Sequence, residues 1–467
     1  MSRSIRTTLA RLARLFAIDP RSFAVFRVAL GSLVIVDLAT RAGALADHYS
    51  DQGVLPRLAL AEAPAGAQRF CLHAWSGAPG FEALLFVVAG ALAAAFVLGR
   101  GGAAVTILLW ALTVSLQNRN DMVLNKGDQI FRLLLFWSVF LPLRPTRPIR
   151  SVGGAGLLVQ AAVVWLVSAC EKSDRAWFPD GTATYYALQM DHGTTAFGHW
   201  LGGLFAVTRV LTYGVYFLEW AAAFLLLCPV RTAALRCVAI ALLAAMHVGF
   251  GLSLRLGLFP AISICSLLPF VPAVAWDRLA PGWKASAASQ PDQPSSARTG
   301  VAAASASIAL AVVLWINAAA VWRGRVSVPS GIDRAARLLR LDQTWAMFAP
   351  YPDRAGGWFV ISGRLADGRT VDPYHDTPGP PSPDKPRRLS ATFPSPRWLY
   401  YMTNLSKAEY AARRPWFARY LCRRFDAAHR GQPALRDVEI TFYREWSLPG
   451  YEKTPARPEV LWRQSCD

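Results

Sequence analysis

Lysine is nearly missing from this 467-residue chain: six of its 49 basic side chains are lysines and the rest are arginines. Acidic residues are also few, 30 in all, which leaves a formal net charge of +19. No nucleic-acid motif accompanies that charge. The arginines lie instead between apolar segments, where they orient helices against an anionic inner membrane surface, so no nucleic-acid partner is expected. The seven cysteines show no ligand spacing, and no metal is expected. Phosphate-binding loops, dinucleotide fingerprints and the serine-hydrolase elbow are missing too, which removes the enzyme classes those motifs mark. No inverted repeat of the carrier type is visible, and this counts against a transporter.

What the chain does contain is apolar sequence. Hydrophobic residues make up 54%, more than a water-soluble enzyme of this length carries. Apolar runs approaching twenty residues recur at 22–40, 82–99, 102–118, 129–143, 153–170, 210–229, 233–254, 256–275 and 300–321. The expected architecture is therefore mainly α, a polytopic transmembrane helix bundle of about 8–9 spans in residues 22–321. Residues 1–21 open with MSRSIRTTLARLARLF, a basic amphipathic segment that reads as a surface helix more than a cleaved signal. With nine spans, that segment, the Arg144, Arg147 and Arg150 turn, Arg231 and Arg236, and a flexible Pro/Ser/Ala-rich linker near 281–299 share one side. The positive-inside rule makes that side cytoplasmic, in an inner membrane, and places residues 322–467 outside the cytoplasm.

The tail has a different pattern. WFVISGRLADGRTVDPY alternates apolar and polar residues around Asp367-Gly368, a hairpin signal, and residues 437–448 alternate likewise. Residues 406–430, opening at Ser406, read as a basic helix, and the proline-rich 378–388 stretch as a loop. A C-terminal extracytoplasmic α+β domain containing a β-hairpin is expected. Cys422 and Cys466 fall within it, either as a pair in an oxidising compartment or as free thiols.

Ionisable residues inside apolar segments are costly unless they face protein or water, so each is a candidate. Arg27 and Asp37 lie on nearly one side of the first span, and Asp37 is four residues before Arg41. The loop QNRNDMVLNKGDQIF brings Asn125, Asp128 and Arg132 to the start of a helix, where Asp128 suits the positive end of the dipole and stands at i,i+4 to Arg132. Capping and ligand contact both explain this cluster. Glu219 lies deep in the sixth run, and His247 and Arg255 share a helical face; a buried histidine such as His247 is more often a satisfied structural group than a functional one. Lys172 ends an apolar run in CEKSDRAW. Its amine either snorkels to the headgroups or serves as a base, and neighbouring Glu171 and Asp174 leave the direction open.

Five segments in order resemble a known family: FRVALGSLVIVDLATRAGALADHYSDQGVLPR, LQNRNDMVLNKGDQIFRLLLFW, EKSDRAWFPDGTATYYAL, HVGFGLSLRLGLFP and WAMFAPYPDRAGGWFVISG. They are similar to the family named for its horizontally transferred transmembrane domain (HTTM), which includes the vitamin K-dependent gamma-carboxylase. The resemblance implies that Lys172 is the base that deprotonates reduced vitamin K or another quinol. It also implies that quinol oxygenation by O₂ drives glutamyl proton abstraction and CO₂ addition, with an epoxide as by-product, as in a lyase of the carboxylase type. As polar groups in or beside apolar segments, Arg27, Asp37, Asn125, Asp128, Arg132, Glu219, His247 and Arg255 are the candidates to bind substrate or line a pocket. The chain departs from the animal enzyme at Glu171, where that enzyme has a second lysine, and in its much shorter tail. A branch of the family resembles maturation factors for secreted peptides, so a non-catalytic maturation or export factor that grips a secreted peptide or protein is the alternative.

Overall fold

The computed structural model describes residues 14–61, 70–283 and 296–466. Most of the N-terminal basic segment and residues 284–295 of the expected linker lie outside the described residues. The molecule is mainly helical, with an antiparallel sheet near the C-terminus. The principal helices are α1 (Pro20–Ala42), α2 (Pro79–Val97), α3 (Gly102–Arg119), α4 (Lys126–Ser138), α5 (Val152–Glu171), α6 (Phe205–Leu227), α7 (Thr232–Ser253), α8 (Phe259–Leu267) and α9 (Ser296–Val321), then α10 (Pro396–Leu405) and α11 (Arg414–Ala428) in the tail.

Among the described residues, six helices are long and apolar enough to cross a membrane: α1, α2, α5, α6, α7 and residues Gly300–Val321 of α9. A seventh arises if Phe259–Phe270 and Ala273–Leu279, bent by 104°, form one broken span. This is fewer than the eight or nine expected. The 102–118 run does form a helix, α3, but is not among the six. The 129–143 run becomes α4, of which every residue from Gly127 to Ser138 is buried in protein. At 13 residues α4 falls short of the length that marks the six, and it is packed in protein on every side. The outer faces of α2, α6, α7 and α9 keep large apolar side chains exposed, Val87, Val210, Phe224, Leu252 and Val301 among them. Such a belt suits a lipid-facing surface and is consistent with a membrane protein.

Local sequence explains where the helices begin. Asp19 accepts from the Arg21 amide with Pro20 at the first turn of α1. At α4, Asn125 and Asp128 close a reciprocal capping box. Gly156 allows α5 to lie against Trp137 of α4, where an added Cβ would meet the indole at 2.1 Å. The tail helix expected from Ser406 is divided differently: Ser395 caps α10, which stops at Leu405, and α11 starts at Arg414 with Pro415 in its first turn. Proline lacks the amide that a continuous helix needs, so the 406–430 reading could not hold as one element.

The sheet has order β3-β2-β1-β4-β5 and consists of β1 (Ala355–Leu365), β2 (Thr370–Asp372), β3 (Thr377–Pro378), β4 (Leu435–Trp446) and β5 (Arg457–Ser465). The hairpin turns at Asp367-Gly368 as expected, with Gly368 at φ 86°. The 437–448 strand forms as β4 and pairs with β1 along its whole length, from Ala355 opposite Trp446 to Leu365 opposite Leu435. Pro378, expected in a loop, lies in the two-residue β3. Cys422 of α11 and Cys466, next to β5, form a disulfide. The tail shares one hydrophobic core with the helices, running from Phe23 and Trp137 to Trp398, Phe417 and Ile440. The boundary at 322 therefore marks a change of pattern and not a separate core.

Candidate functional site

A buried polar cluster lies in the seam between bundle and tail. Asp37 and Arg41 of α1 form the expected i,i+4 pair, Nε to Oδ2 at 2.8 Å. Arg41 also donates to Asp128 at 2.5 Å and to the Tyr49 hydroxyl at 2.7 Å. Arg397, in the first turn of α10, closes the ring by donating to Asp37 at 2.6 Å, to Asp128 at 2.6 and 3.0 Å and to the Val123 carbonyl at 2.9 Å. Burial opposes ionisation of Asp128, but the Arg397 and Arg41 guanidiniums outweigh it and hold the carboxyl below its ordinary value. Two carboxylates and two guanidiniums thus neutralise each other. Arg397 went unnoticed in the sequence because nothing near it hints at a partner 360 residues earlier.

Lys172 and Glu219 were singled out separately and meet in the structure. The Lys172 Nζ lies 2.6 Å from Glu219 Oε2, 2.7 Å from Ser168 Oγ and 3.3 Å from the Ser168 carbonyl, so its three N–H groups each have an acceptor. Trp177 covers it, with Nζ 5.0 Å from the ring centroid. Glu219 stands about 12 Å inside the Leu227 end of α6 by the rise of an α-helix. The ammonium is buried in protein and does not reach for headgroups. Beside it, Glu171 pairs with Arg323 of the chain following α9 at 2.6 Å.

Two adjoining clefts open in the same seam. One, about 540 Å³, is lined by Asn125, Lys126, Arg132, Arg340, Tyr400 and Lys407 among others. The other, about 410 Å³, is lined by His192, Asp353, Phe359 and Arg444 among others, and both share Ala346, Phe348, Thr403 and Lys407. Burial pushes the Lys126 amine down to about 8, and it donates to Thr344 Oγ1 at 2.6 Å. Burial also lowers His192 below the ordinary histidine value. The Trp177 indole donates to the Phe348 carbonyl at 3.0 Å, so a single layer, Trp177 and Phe348, stands between Lys172 and the clefts. Phe348 holds φ at 54°, a left-handed conformation that a bulky residue adopts only when its surroundings impose it.

The remaining candidates are dispersed. Arg27 is buried at the other end of α1, donating to the carbonyls of Phe96 and Val97, and so does not join Asp37. Arg132 does not turn to Asp128 across its helical turn; it donates to the carbonyls of Arg340 and Asp342 at 2.9 and 2.7 Å. Asp128 is occupied by two arginines, which leaves the i,i+4 partner to the segment after α9. The His247 Nδ1–H donates to the Leu243 carbonyl at 2.8 Å, among Trp165, Phe250 and Phe259, and its Nε2 has no partner among the described residues. Arg255 lies apart from all of these in a third cleft of about 560 Å³.

A second charge ring escaped notice altogether. Lys385 and Lys453 each contact both Asp191 and Glu445, the Lys453 to Glu445 distance being 3.2 Å. The scarcity of lysine was the one available signal for Lys126, Lys385 and Lys453. No group of three or more metal-ligating side chains gathers among the described residues.

Neither a family model, nor a curated protein, nor a solved structure matches this chain.

Proposed function

We propose that the chain is a membrane enzyme of the quinol-driven carboxylase type, with Lys172 as base and with the tail on the extracytoplasmic side of the bacterial inner membrane. The observation that carries this reading is the Lys172–Glu219 pair, buried 2.6 Å apart behind one aromatic layer from two clefts. A buried ammonium is paired wherever it lies; here the partner carboxylate is also placed to take its proton.

For Lys172 to take a proton from an incoming hydroxyl, it must first hand one to Glu219, the acceptor already in contact. Ser168 then holds the neutral amine in place through Oγ. Trp177, Tyr216 and Phe348 give the surroundings an aromatic, water-poor surface that fits a flat quinol ring. A reduced quinone with O₂ would supply the strong base needed to remove a glutamyl γ-proton before CO₂ adds. Phe348 lines both clefts and packs against that surface, so a quinol reaching Lys172 from the clefts passes it.

The test is quinone epoxidation or CO₂ fixation by the purified chain in lipid. Loss of turnover by about a hundredfold or more in Lys172→Met and in Glu219→Gln is expected for a general base and its proton partner. Unchanged turnover in Lys172→Met overturns the assignment. A second reading, a maturation or export factor without turnover, is favoured by the complete hydrogen bonding of Lys172 and by the basic lining of the seam, Lys126, Arg132, Arg340, Lys407 and Arg444. Crosslinking through that lining to a secreted peptide, with no turnover, would establish it.

A further inference from the structure

The third cleft, about 560 Å³, belongs to neither the Lys172 pair nor the seam clefts. It lies between the turn after α7, the short helix Ala196–Gly202 and the tail segment 385–390. Four cations line it, Arg255, Lys385, Arg387 and Arg388, against one carboxylate, Asp191. That carboxylate is already engaged by Lys385 and Lys453. Arg255, Arg387 and Arg388 have no carboxylate partner among the described residues, so the cleft holds uncompensated positive charge.

The arginines are carried on a fixed frame. The Arg255 amide donates to the Gly193 carbonyl at 2.7 Å, and its carbonyl accepts from the Tyr400 hydroxyl at 3.4 Å. Arg387 and Arg388 are held between Lys385, tied into the charge ring, and Leu389, buried in the core. The rim is apolar. Phe197 and Trp200, 44% and 61% exposed, stand on the short helix with ring centroids 5.4 Å apart, beside exposed Leu204 and Phe205 at the start of the apolar helix α6. Guanidiniums bordered by exposed aromatics at the end of a membrane-length helix suit a molecule with an anionic head and an apolar tail.

We propose that this cleft is a binding site for a phosphate-bearing anion, occupied in the membrane by the headgroup of an anionic phospholipid. The phosphate oxygens accept from Arg255, Arg387 and Arg388, and the acyl chains lie over Phe197 and Trp200. Arginine suits the role because its planar fork donates two parallel hydrogen bonds to phosphate.

The experiment uses the full chain purified in neutral detergent. Retention of phosphatidylglycerol against phosphatidylcholine is followed by native mass spectrometry, and thermal stabilisation by each lipid and by millimolar inorganic phosphate is measured alongside. The wild type is expected to retain phosphatidylglycerol preferentially. The Arg255→Gln, Arg387→Gln, Arg388→Gln triple variant should bind it about tenfold or more weakly, while Arg175→Gln, at an exposed arginine elsewhere, leaves it unchanged. If the triple variant does not elute as a single species, Arg387→Gln and Arg388→Gln singly should each weaken retention by about threefold. Stabilisation by inorganic phosphate that depends on the three arginines, with no lipid preference, would support the phosphate site and assign it a soluble phosphate ester. Equal retention by wild type and the glutamine variants, or no preference for either phosphate source, overturns the proposal.

Discussion

The ring of Asp37, Arg41, Asp128 and Arg397 and the ring of Asp191, Lys385, Glu445 and Lys453 have the same formula, two carboxylates and two cations, and both join the tail to the helices. They differ in depth. Side-chain exposure runs from 1% to 12% in the first and from 9% to 30% in the second. The deep ring uses arginine and the shallow ring lysine. A buried charge must exchange its whole hydration shell for fixed partners, and the guanidinium, weakly hydrated and forked, can satisfy two carboxylates at once. Arg397 does so, reaching Asp37 and Asp128 together. An ammonium is a compact, strongly hydrated charge and suits a place where water can still reach it. The same formula at two depths therefore predicts different consequences for breaking it.

The largest effect is expected at the deep ring. Arg397→Met leaves two buried carboxylates to one guanidinium and should cost about 3–5 kcal/mol, read as an earlier melt in detergent and faster proteolysis of the tail. Arg397→Lys should recover only part of that loss, because one ammonium cannot reproduce the fork. A melting curve that does not move for Arg397→Met would show that the ring does not hold the tail.

The disulfide comes next. Cys422→Ser releases a loop of 44 residues and should cost about 2–4 kcal/mol, confined to the tail, with the wild type responding to reductant in the same direction. A reductant-insensitive melt would mean that the tail's core alone suffices. At the shallow ring, Lys453→Gln should cost about 1 kcal/mol or less, since water can replace what is lost. A loss there as large as that of Arg397→Met would erase the contrast between the rings.

The smallest effect concerns pH. The Asp372 carboxylate accepts a hydrogen bond from His375 and raises its value above the ordinary one. A raised histidine contributes stability that is fully present below about 6.5 and is lost as pH climbs through the higher folded value. His375 is partly exposed, so melting should fall only slightly from acid to alkaline pH, and His375→Gln should remove that component. A histidine-dependent change of opposite sign would contradict the pairing.

The legible parts of the molecule were those set by neighbours in sequence. Asp37 and Arg41 pair across one helical turn, Asn125 and Asp128 cap α4, and Asp367-Gly368 turns the hairpin as their spacing requires. Lys172 and Glu219 each stood out as a charge in apolar sequence, but their contact, 47 residues apart, could not be read. Arg132 was misdirected for the same reason: helical spacing offered Asp128, whereas tertiary packing brought Arg397 and Arg41 to that carboxylate first. The apolar run at 129–143 forms a 13-residue helix enclosed by protein, a setting that composition does not separate from lipid.

By itself, the sequence determined that the chain is a set of apolar helices followed by a strand-bearing tail, because periodicity and hydropathy act over a few turns at most. It also marked which charges needed an explanation, since an ion in an apolar run is costly wherever it lies. Only the tertiary structure decided which charges meet, that Arg397 enters the bundle, and that Lys172 is enclosed behind Trp177. Those choices depend on contacts between segments from tens to hundreds of residues apart, and such contacts exist only once the helices and the tail have packed into one core.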